Sequence, residues 1–486
     1  MLPKYLSLLG LLSLGLLGKP GASPALLAKP IQVGTAKQVF IDGRFLGSKQ
    51  GVALVVNRPC ARGEMLLVPE HPWESGWIGD YLSVIQEGGR VHMWYDASDR
   101  AAIKDAQQGM TGVAYTYSSD GGATWIKPKL GVIEYRGSSE NNLVIKGVHG
   151  FHVFRNRPDA DDDEMYVLFS GQPNKLFVSA DGFHWKVKGS EPFLNMAGHN
   201  GLDSQNVMFW DSRIEKYVAY PRINLPLFSR TIGRTASATL GDFPDPVVVL
   251  GRDSKDPPEM DFYTSAVIQY LFAADAYYMF PAAYHHWPSP PHPSNDGPLD
   301  IQFAASRDGV DWKRPDRRPI IRLGLEGEWD SGCMYAGYGL SRDGEEISLY
   351  YTAHDVTHGA YVKRGFLGGK ISRAIYRLDG FMSVDAPYEG GSFTTPSIRF
   401  DGDLLKLNLD ASAGGWIRVE LLTESDRPIA GFTREDADQI LRSSVAATVS
   451  WKGDTDLSKL KGQPVKLRFL MRDAKLFAFQ FVSGTD

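Results

Sequence analysis

Cysteine is scarce in this sequence, and so are the patterns of long helices. Only Cys60 and Cys333 occur among 486 residues, which excludes a disulfide scaffold and leaves no cysteine metal motif. One bridge between them and two free buried thiols are the arrangements left open. Long stretches with an apolar residue at every third or fourth position are hard to find, so helices are not expected to dominate the fold.

An excess of basic charge is also missing. The chain has 52 Lys and Arg against 57 Asp and Glu, for a formal net charge of −5. This balance predicts neither nucleic acid nor an anionic membrane as a partner. Apolar residues make up 43% and charged residues 22%, as in a folded globular protein. The aromatic content of 12% suits β-sheet surfaces or sites that stack on sugar rings.

The longest apolar run lies at the N-terminus. It extends from Leu6 to Leu17, follows Lys4, and gives way to small residues and prolines. Because the run is too short to cross a bilayer comfortably, it predicts a signal peptide over residues 1–28, with an uncleaved anchor as the alternative. Cleavage near residue 22 or after residue 28 is compatible with the pattern. We therefore expect a secreted or periplasmic protein that is free of the membrane after cleavage.

What recurs along the chain is a pair of strand-like runs joined by a tight turn. The clearest copy is "YLSVIQEGGRVHMWYDAS" from Tyr81 to Ser98, with Glu87-Gly88-Gly89 at the turn. Apolar, β-branched and aromatic residues flanking such a turn indicate a β-hairpin. The same form returns over residues 149–170, 206–223, 266–284 and 338–354. The sequence therefore predicts an all-β protein.

A second signature follows three of these hairpins. It reads "SSDGGATW" at 118–125, "SADGFHW" at 179–185 and "SRDGVDW" at 306–312. The first copy fits the Asp-box pattern S-x-D-x-G-x-x-W, and the other two are one residue shorter. Asp-Gly forms a tight turn, over which the tryptophan ring can pack. We interpret all three as structural turns and not as catalytic motifs.

Acidic residues precede the hairpins at a regular spacing. Their positions are 80, 140, 203, 261 and 330, so neighbours are 58 to 69 residues apart. Such a period in a β-rich chain predicts a propeller, here with five blades over residues 29–387. The first strand of each blade lines the central channel, so these acids should meet at one mouth. The early run "KQVFIDGRFL" is expected to close or wrap the ring. Residues 388–486 lack the repeat and predict a C-terminal β-sandwich.

Five blades with axial carboxylates followed by a β-sandwich resemble glycoside hydrolase families 32 and 43. The runs "DSQNVMFWD" and "WDSGCMYAG" are similar to runs in family-32-like secreted bacterial proteins. The family 32 signatures W-M-N-D-P-N-G, R-D-P and E-C are absent. The resemblance implies a glycosidase acting on an oligo- or polysaccharide, with a furanoside or a similarly small sugar unit as substrate.

The resemblance also implies catalytic roles, carried over by position. Asp80 would be the nucleophile or base, Asp203 would tune the charge, and Glu259 or Asp261 would protonate the leaving group. Cleavage of a glycosidic bond needs one protonated and one ionised carboxyl. Carboxyls crowded around one axis repel each other, which raises some of their pKa values and creates a proton donor near neutral pH. For each acid, a structural role such as capping a turn is the alternative.

Further residues near the predicted mouth are candidates for substrate binding. Histidines there usually serve as hydrogen-bonded structural groups, tryptophans as core residues, and arginines as partners in ordinary ion pairs. Each functional assignment therefore has a structural alternative. The predicted substrate-binding set is Glu140, Asp330, Glu328, His149, His199, Trp77 and Arg222.

The sequence leaves two other functions open. A sialidase-like enzyme is suggested by the Asp box but calls for an arginine triad and six blades. A carbohydrate-binding propeller without catalysis is the other, since a fold alone does not establish an activity. No cofactor is expected, although a structural calcium ion among the axial acids is an alternative. The sequence does not fix the oligomeric state.

Overall fold

Strands account for almost all regular structure in the computed structural model, which describes residues 29–100, 111–189, 192–196, 201–226, 229–289, 294–363 and 368–484. Within these ranges the only α-helix is His358–Lys363, and short 3-10 turns occur at Pro72–Glu74, Asp162–Glu164 and Ser458–Leu460. The predicted signal peptide and His199 lie outside the described residues. No helix in these ranges is long and apolar enough to cross a membrane.

The first two blades are antiparallel four-stranded sheets. Blade 1 consists of Trp77–Glu87, Arg90–Ser98, Thr111–Ser118 and Leu143–Lys146. Blade 2 consists of His152–Arg155, Tyr166–Ser170, Lys175–Ser179 and Lys186–Lys188. Gly88 and Gly89 both have positive φ, at 56° and 75°, as a two-residue type I′ hairpin turn requires. The predicted hairpins therefore form two successive blades.

Blades 3 and 4 follow the same order with local changes. Blade 3 consists of Val207–Asp211, Lys216–Tyr220, Ser229–Ser237 and Val247–Leu250, with Arg222–Leu225 paired to the third strand. Blade 4 consists of Val267–Gln269, Tyr277–Met279 and Ala304–Ser306, and an isolated bridge at Lys313 stands in for its outer strand. Three further strands, Met260–Phe262, Ala282–His285 and Leu299–Ile301, join blade 4 to blade 5.

Blade 5 closes the ring with a strand from the N-terminal part of the chain. Its first three strands are Cys333–Asp343, Glu346–His354 and Lys370–Arg377, and its fourth is Ala61–Leu67. The first strands of blades 5 and 1 then meet in parallel at Tyr338 and Ser83. The predicted five-bladed propeller is confirmed by this strand pairing. Five blades also differ from the six of a sialidase-like propeller.

The residues expected to close the ring are instead part of the second domain. Ile31–Gly34, Gln38–Val39, Ser48–Gln50 and Ala53–Val56 pair with strands Met382–Ala386, Gly391–Thr394, Ile398–Phe400 and Val465–Val482. The prediction for "KQVFIDGRFL" is therefore wrong, and the propeller does not start at residue 29. The second domain also begins slightly earlier than residue 388, at Met382. Strand pairs that span more than 300 residues leave no local signal in the sequence.

The second domain is a ten-stranded sheet built on two long bent strands. Leu404–Thr423 pairs with Val465–Val482 along nearly its whole length, and Ser444–Thr448 adds an edge. An extended strand would place Phe469 and Phe479 about 33 Å apart, yet their rings are 6.3 Å apart. The strand pair therefore doubles back on itself, so its two halves share one hydrophobic core.

The three Asp-Gly-Trp segments are turns that also join neighbouring blades. In the first, Asp120 accepts hydrogen bonds from the main-chain amides of Ala123 and Thr124. A Cβ on Gly122, Gly182 or Gly309 would lie within 2.7 Å of an aromatic side chain from the preceding blade. Those aromatic side chains are, in the same order, Tyr350, Trp94 and Tyr220. The glycines therefore permit close contact between blades, in agreement with the predicted structural role.

The two cysteines do not form a bridge. Cys60 is exposed, Cys333 is buried, and both are free thiols. The expectation of two free thiols is correct, but the burial expected for Cys60 is wrong. Cys333 begins the first strand of blade 5, and burial raises the pKa of its thiol. Neither residue therefore stabilises the fold by a covalent link.

Candidate functional site

A bulge in the first strand of blade 1 positions Asp80. The pairing of this strand with Arg90–Ser98 breaks between Ile78 and Leu82, so Gly79, Asp80 and Tyr81 lie in a β-bulge, a feature that re-aims side chains. Gly79 has a φ of +77°, and a Cβ there would lie 2.7 Å from Ile371. The tight packing against blade 5 therefore requires glycine beside Asp80.

Asp80 contacts a buried histidine of blade 5. His354 Nε2 lies 2.8 Å from Asp80 Oδ1, and the two side chains are 1% and 13% exposed. The imidazole can donate a hydrogen bond to the carboxylate of Asp80. The first and last blades thus fix one carboxylate at the mouth of the channel.

Asp203 contacts Tyr81, the direct neighbour of Asp80. Its carboxylate forms an ion pair with Arg222, whose side chain is buried, and its main-chain oxygen accepts a hydrogen bond of 3.2 Å from the Tyr81 hydroxyl. The Asp203 side chain is 48% exposed, so solvent and ligands can reach it. Arg222 thus holds an accessible carboxylate near Asp80.

Aromatic side chains complete a closed ring of contacts around this mouth. The Arg222 guanidinium lies 4.7 Å from the centroid of the Tyr263 ring, and Tyr263 lies 5.8 Å from the ring of Tyr335. Tyr335 also lies 6.3 Å from the ring of His354. The contacts therefore return to the partner of Asp80. We call Asp80, Tyr81, Asp203, Arg222, Tyr263, Tyr335, His354 and His358 the mouth cluster.

His358 supports one side of the mouth cluster. Its Nδ1 lies 2.8 Å from the Tyr335 hydroxyl, and its ring lies 4.9 Å from Tyr263. Burial lowers the pKa of His358 to about 4, so the imidazole is neutral at neutral pH. Burial also raises the pKa values of the Tyr81 and Tyr335 hydroxyls well above the usual value. These groups act as neutral hydrogen-bonding partners.

Asp261 lies next to the mouth cluster but is already paired. The carboxylate, 2% exposed, lies 3.2 Å from Arg230 Nη1 and 3.1 Å from His286 Nε2. Arg230 also lies 5.4 Å from the Tyr263 ring. Both contacts come from basic side chains that can donate hydrogen bonds to the carboxylate, so the role of proton donor implied for Asp261 does not fit its contacts. Glu259 contributes its main-chain carbonyl, which accepts a 2.9 Å hydrogen bond from the His286 amide.

His149 brings the remaining blade to the mouth. It lies in the turn before blade 2, and its ring is 5.3 Å from that of Tyr81. Its Nδ1 lies 4.0 Å from Oδ2 of Asp96, a fully buried residue on the second strand of blade 1. Burial lowers the pKa of His149, although the charges of Asp80 and Asp203 oppose this shift. With His149, all five blades contribute to the mouth.

Four other predicted residues have structural surroundings. Glu140 is 71% exposed and pairs with Lys129 at the surface. Asp330 is buried against Arg62 of the ring-closing strand, 3.2 Å away, and burial raises its pKa while Arg62 opposes the rise. The carboxylate of exposed Glu328 accepts a hydrogen bond from the Leu325 amide. Trp77 is buried, so it offers no exposed ring face for sugar stacking.

Several residues of the site were not selected from the sequence. Asp96 is the one that left a signal, because it is a single acid in the otherwise apolar and aromatic run "VHMWYDAS". Tyr81 could have been selected only because it is the direct neighbour of Asp80. Tyr263, Tyr335 and Arg230 left none, since tyrosines are common throughout the strands and the arginine resembles an ordinary ion-pair partner.

No group of three or more His, Cys, Asp or Glu side chains in the described ranges could hold a metal ion. The mouth cluster combines two carboxylates, one guanidinium group, two imidazoles and three tyrosine rings. Such a set can bind hydroxyl-rich molecules through hydrogen bonds and ring contacts, and it can move protons.

Comparison with protein-family models and with curated proteins finds no match. Among solved structures, the chain is similar to the catalytic domain of a Coprinopsis cinerea GH62 α-L-arabinofuranosidase, with 13% identity, a TM-score of 0.43, and coverage of 67% of this chain and 98% of that one. It is also similar to the Bombyx mori GH32 β-fructofuranosidase BmSUC1, with 10% identity, a TM-score of 0.39, and coverage of 86% and 94%.

A third match is an N-acetylgalactosamine deacetylase from F. plautii, solved with blood group B trisaccharide. It has 15% identity, a TM-score of 0.35, and coverage of 67% of this chain and 85% of that one.

Proposed function

We propose that the protein is a glycoside hydrolase whose reaction takes place at the mouth cluster. The observation that carries this proposal is the closed ring of contacts that holds Asp80 between His354 and Tyr81, with Asp203 in contact with Tyr81 and Arg222. A glycosidase needs an ionised carboxylate that is shielded yet reachable. The Asp80 side chain is 13% exposed, so it is shielded yet reachable.

Asp80 acts as the nucleophile or base in this proposal. The hydrogen bond from His354 holds this carboxylate in place, and the bulge aims it into the mouth. Asp203, held by Arg222, binds substrate hydroxyls and keeps a second negative charge near the sugar. A positively charged sugar ring develops in the transition state of glycoside hydrolysis, and two nearby carboxylates stabilise it.

The substrate is proposed to be an oligo- or polysaccharide with a furanoside or a similarly small unit at the reacting position. A cleft of about 600 Å³ adjoins Asp203 and is lined by Gln172, Asn174, Asn195 and Asn224, among others. Amide side chains of this kind form hydrogen bonds with sugar hydroxyls. Secretion, inferred from the N-terminal apolar run, would place the enzyme where such glycans occur.

The test is release of reducing sugar from a panel of aryl furanosides and pyranosides. Asp80→Asn removes the charge with little change in size, and we expect it to lower kcat on the best substrate by about 100-fold or more. Glu140→Gln is the matched control, because that exposed residue lies away from the mouth cluster, and its kcat should stay within about twofold. Equal activity of wild type and Asp80→Asn would refute the proposal.

A carbohydrate-binding propeller without catalysis is the second candidate. It is favoured by one observation, namely that Asp203 and Asp261 are each held by an arginine, as in sites that bind without reaction. Calorimetric titration with oligosaccharides distinguishes the two. Binding to wild type and Asp80→Asn with equal affinity, with no cleavage by either, would support this candidate over the hydrolase.

A further inference from the structure

Asp96 is a fully buried carboxyl group that the proposed roles leave unused. It lies on the second strand of blade 1, opposite the bulge that carries Asp80. It is 0% exposed, and neither of its oxygens has a hydrogen-bond partner among the residues described. An ionised carboxylate in such surroundings is costly. Burial first and then the charge of Asp80 raise the pKa of Asp96 well above its usual value, which favours its protonated form.

His149 lies between this buried proton and the mouth. Its Nδ1 is 4.0 Å from Asp96 Oδ2 and has no hydrogen-bond partner in the described structure. A small rotation of the imidazole or one bridging water closes such a gap. The ring also lies 5.3 Å from that of Tyr81, the direct neighbour of Asp80, and the main-chain oxygen of Asp203 raises the pKa of His149 as a hydrogen-bond acceptor. The imidazole therefore links Asp96 to the mouth cluster.

Charged groups around His149 shift its pKa in both directions. Asp80 and Asp203 favour its protonated form, while burial and Arg222 oppose it. Tyr81 packs against the ring and is neutral. With its side chain 28% exposed, the imidazole can touch a ligand, whereas Asp96 cannot.

We propose that His149 is the proton donor to the leaving group and that Asp96 is the positioning residue that supplies its proton. This inference rests on the proposed hydrolase function. As the glycosidic C–O bond breaks, its electron pair goes to the leaving oxygen, which takes the Nε2 proton of His149. In the same step Nδ1 takes the proton of Asp96, which becomes a carboxylate. The water that completes hydrolysis gives a proton to Nε2, and Nδ1 returns its proton to Asp96, so both groups regain their starting forms.

The test compares leaving groups that need a proton with ones that do not. Asp96→Asn keeps the size and neutrality of the buried group but cannot release a proton. On the methyl glycoside of the sugar that wild type cleaves best, we expect kcat to fall about 100-fold or more. On the 4-nitrophenyl glycoside of the same sugar, whose leaving group departs as an anion, the fall should stay below about threefold. His149→Gln should reproduce this pattern.

Ser98→Ala is the matched control. Ser98 lies two residues from Asp96 on the same strand, and its hydroxyl is likewise buried without a partner in the described structure. A serine hydroxyl is far less acidic than a carboxylic acid, so it cannot supply the proton. Any loss of activity should be the same for both glycosides. Equal losses for Asp96→Asn on the two substrates would overturn the proposal, because they would indicate a structural role alone.

A second measurement does not depend on activity. The carboxyl carbon of Asp96, assigned by NMR with aspartate-labelled protein and the Asp96→Asn variant, should show the chemical shift of a protonated acid at pH 7. Titration of this carbon below pH 5 would overturn the proposal even if glycosides are cleaved. If the panel shows no cleavage but Asp96 is protonated, the hydrolase function and the proton-donor role of His149 are both refuted. The protonated state of Asp96 is then confirmed on its own.

Discussion

Strand Trp77–Glu87 runs along the channel, and its two ends lie in different surroundings. Near its start, Asp80 belongs to a cluster of acids, bases and tyrosines contributed by several blades. At its other end, Val84 to Glu87 border a cavity of about 490 Å³ lined mainly by apolar and aromatic side chains, among them Phe209, Trp210, Phe272, Tyr338 and Leu340. The same five first strands thus provide a polar mouth and an apolar one.

The two ends also differ in how their charges are held. At the apolar mouth, Arg155 and Glu87 form an ion pair of 3.4 Å with side chains that are 38% and 30% exposed. At the polar mouth, Arg230 and Asp261 are 13% and 2% exposed. Buried charged groups shift each other's pKa values, and such groups cluster at functional sites. Exposed ion pairs contribute little to stability. The comparison therefore favours the mouth that contains Asp80 as the site of the proposed reaction.

Removing the arginine of each pair should give the largest contrast in stability. Arg230→Met leaves Asp261 as a buried charge with His286 as its main side-chain partner, and we expect the free energy of unfolding to fall by about 3–5 kcal/mol. Arg155→Met should lower it by less than about 1 kcal/mol. Urea denaturation measures both values.

The double variant Asp261→Asn with Arg230→Met is the control for this experiment. It removes the uncompensated charge, so it should recover a large part of the stability lost in Arg230→Met. Similar losses for Arg230→Met and Arg155→Met would mean that the two mouths do not differ in the way the burial of their ion pairs indicates.

Two buried histidines should make stability depend on pH. Burial lowers the pKa of His358, at the polar mouth, to about 4, and that of His152 to about 3. His152 lies inside the channel, against Ser83 and the Tyr338 ring. Both are neutral when folded but take up protons near pH 6.5 when unfolded, so the unfolded state gains protons first as the pH falls. The free energy of unfolding should therefore drop by roughly 2 kcal/mol per histidine between pH 7 and pH 5.

Urea denaturation at the two pH values checks this expectation. His358→Gln and His152→Gln should each reduce the drop by roughly the contribution of one histidine. An unchanged drop in both variants would mean that other groups cause the acid sensitivity. A reduction in His152→Gln alone would indicate that the channel interior excludes charge more strongly than the polar mouth does.

Most of the propeller could be predicted because its signals are local. Hairpin turns such as Glu87-Gly88-Gly89 and the Asp-Gly-Trp turns are written within a few residues, and their repetition gives the blade count. Ring closure by the stretch before the first blade was expected, but the wrong strand was chosen, because Ala61–Leu67 pairs with Lys370–Arg377, about 300 residues away. No short-range pattern distinguishes such a strand from those that enter the second domain.

The site could be predicted only in part for a related reason. The spacing of the acids placed Asp80, Asp203 and Asp261 near one mouth, but it could not show which partners hold them. Asp330 also precedes a strand, but its carboxylate forms an ion pair with Arg62 of the ring-closing strand. Proton-donor assignments depend on such partners, so they require the distances between side chains.

The smallest expected effect concerns the surface of the apolar mouth. Leu271 is 72% exposed beside that cavity, so Leu271→Asp removes little buried area. We expect a change of less than about 0.5 kcal/mol in the free energy of unfolding and no change in kcat on the best glycoside of the panel. Because Asp80 lies at the other end of the channel, a fall in kcat of more than about threefold would mean that the apolar mouth takes part in the reaction, and the contrast between the two ends would then not locate the function.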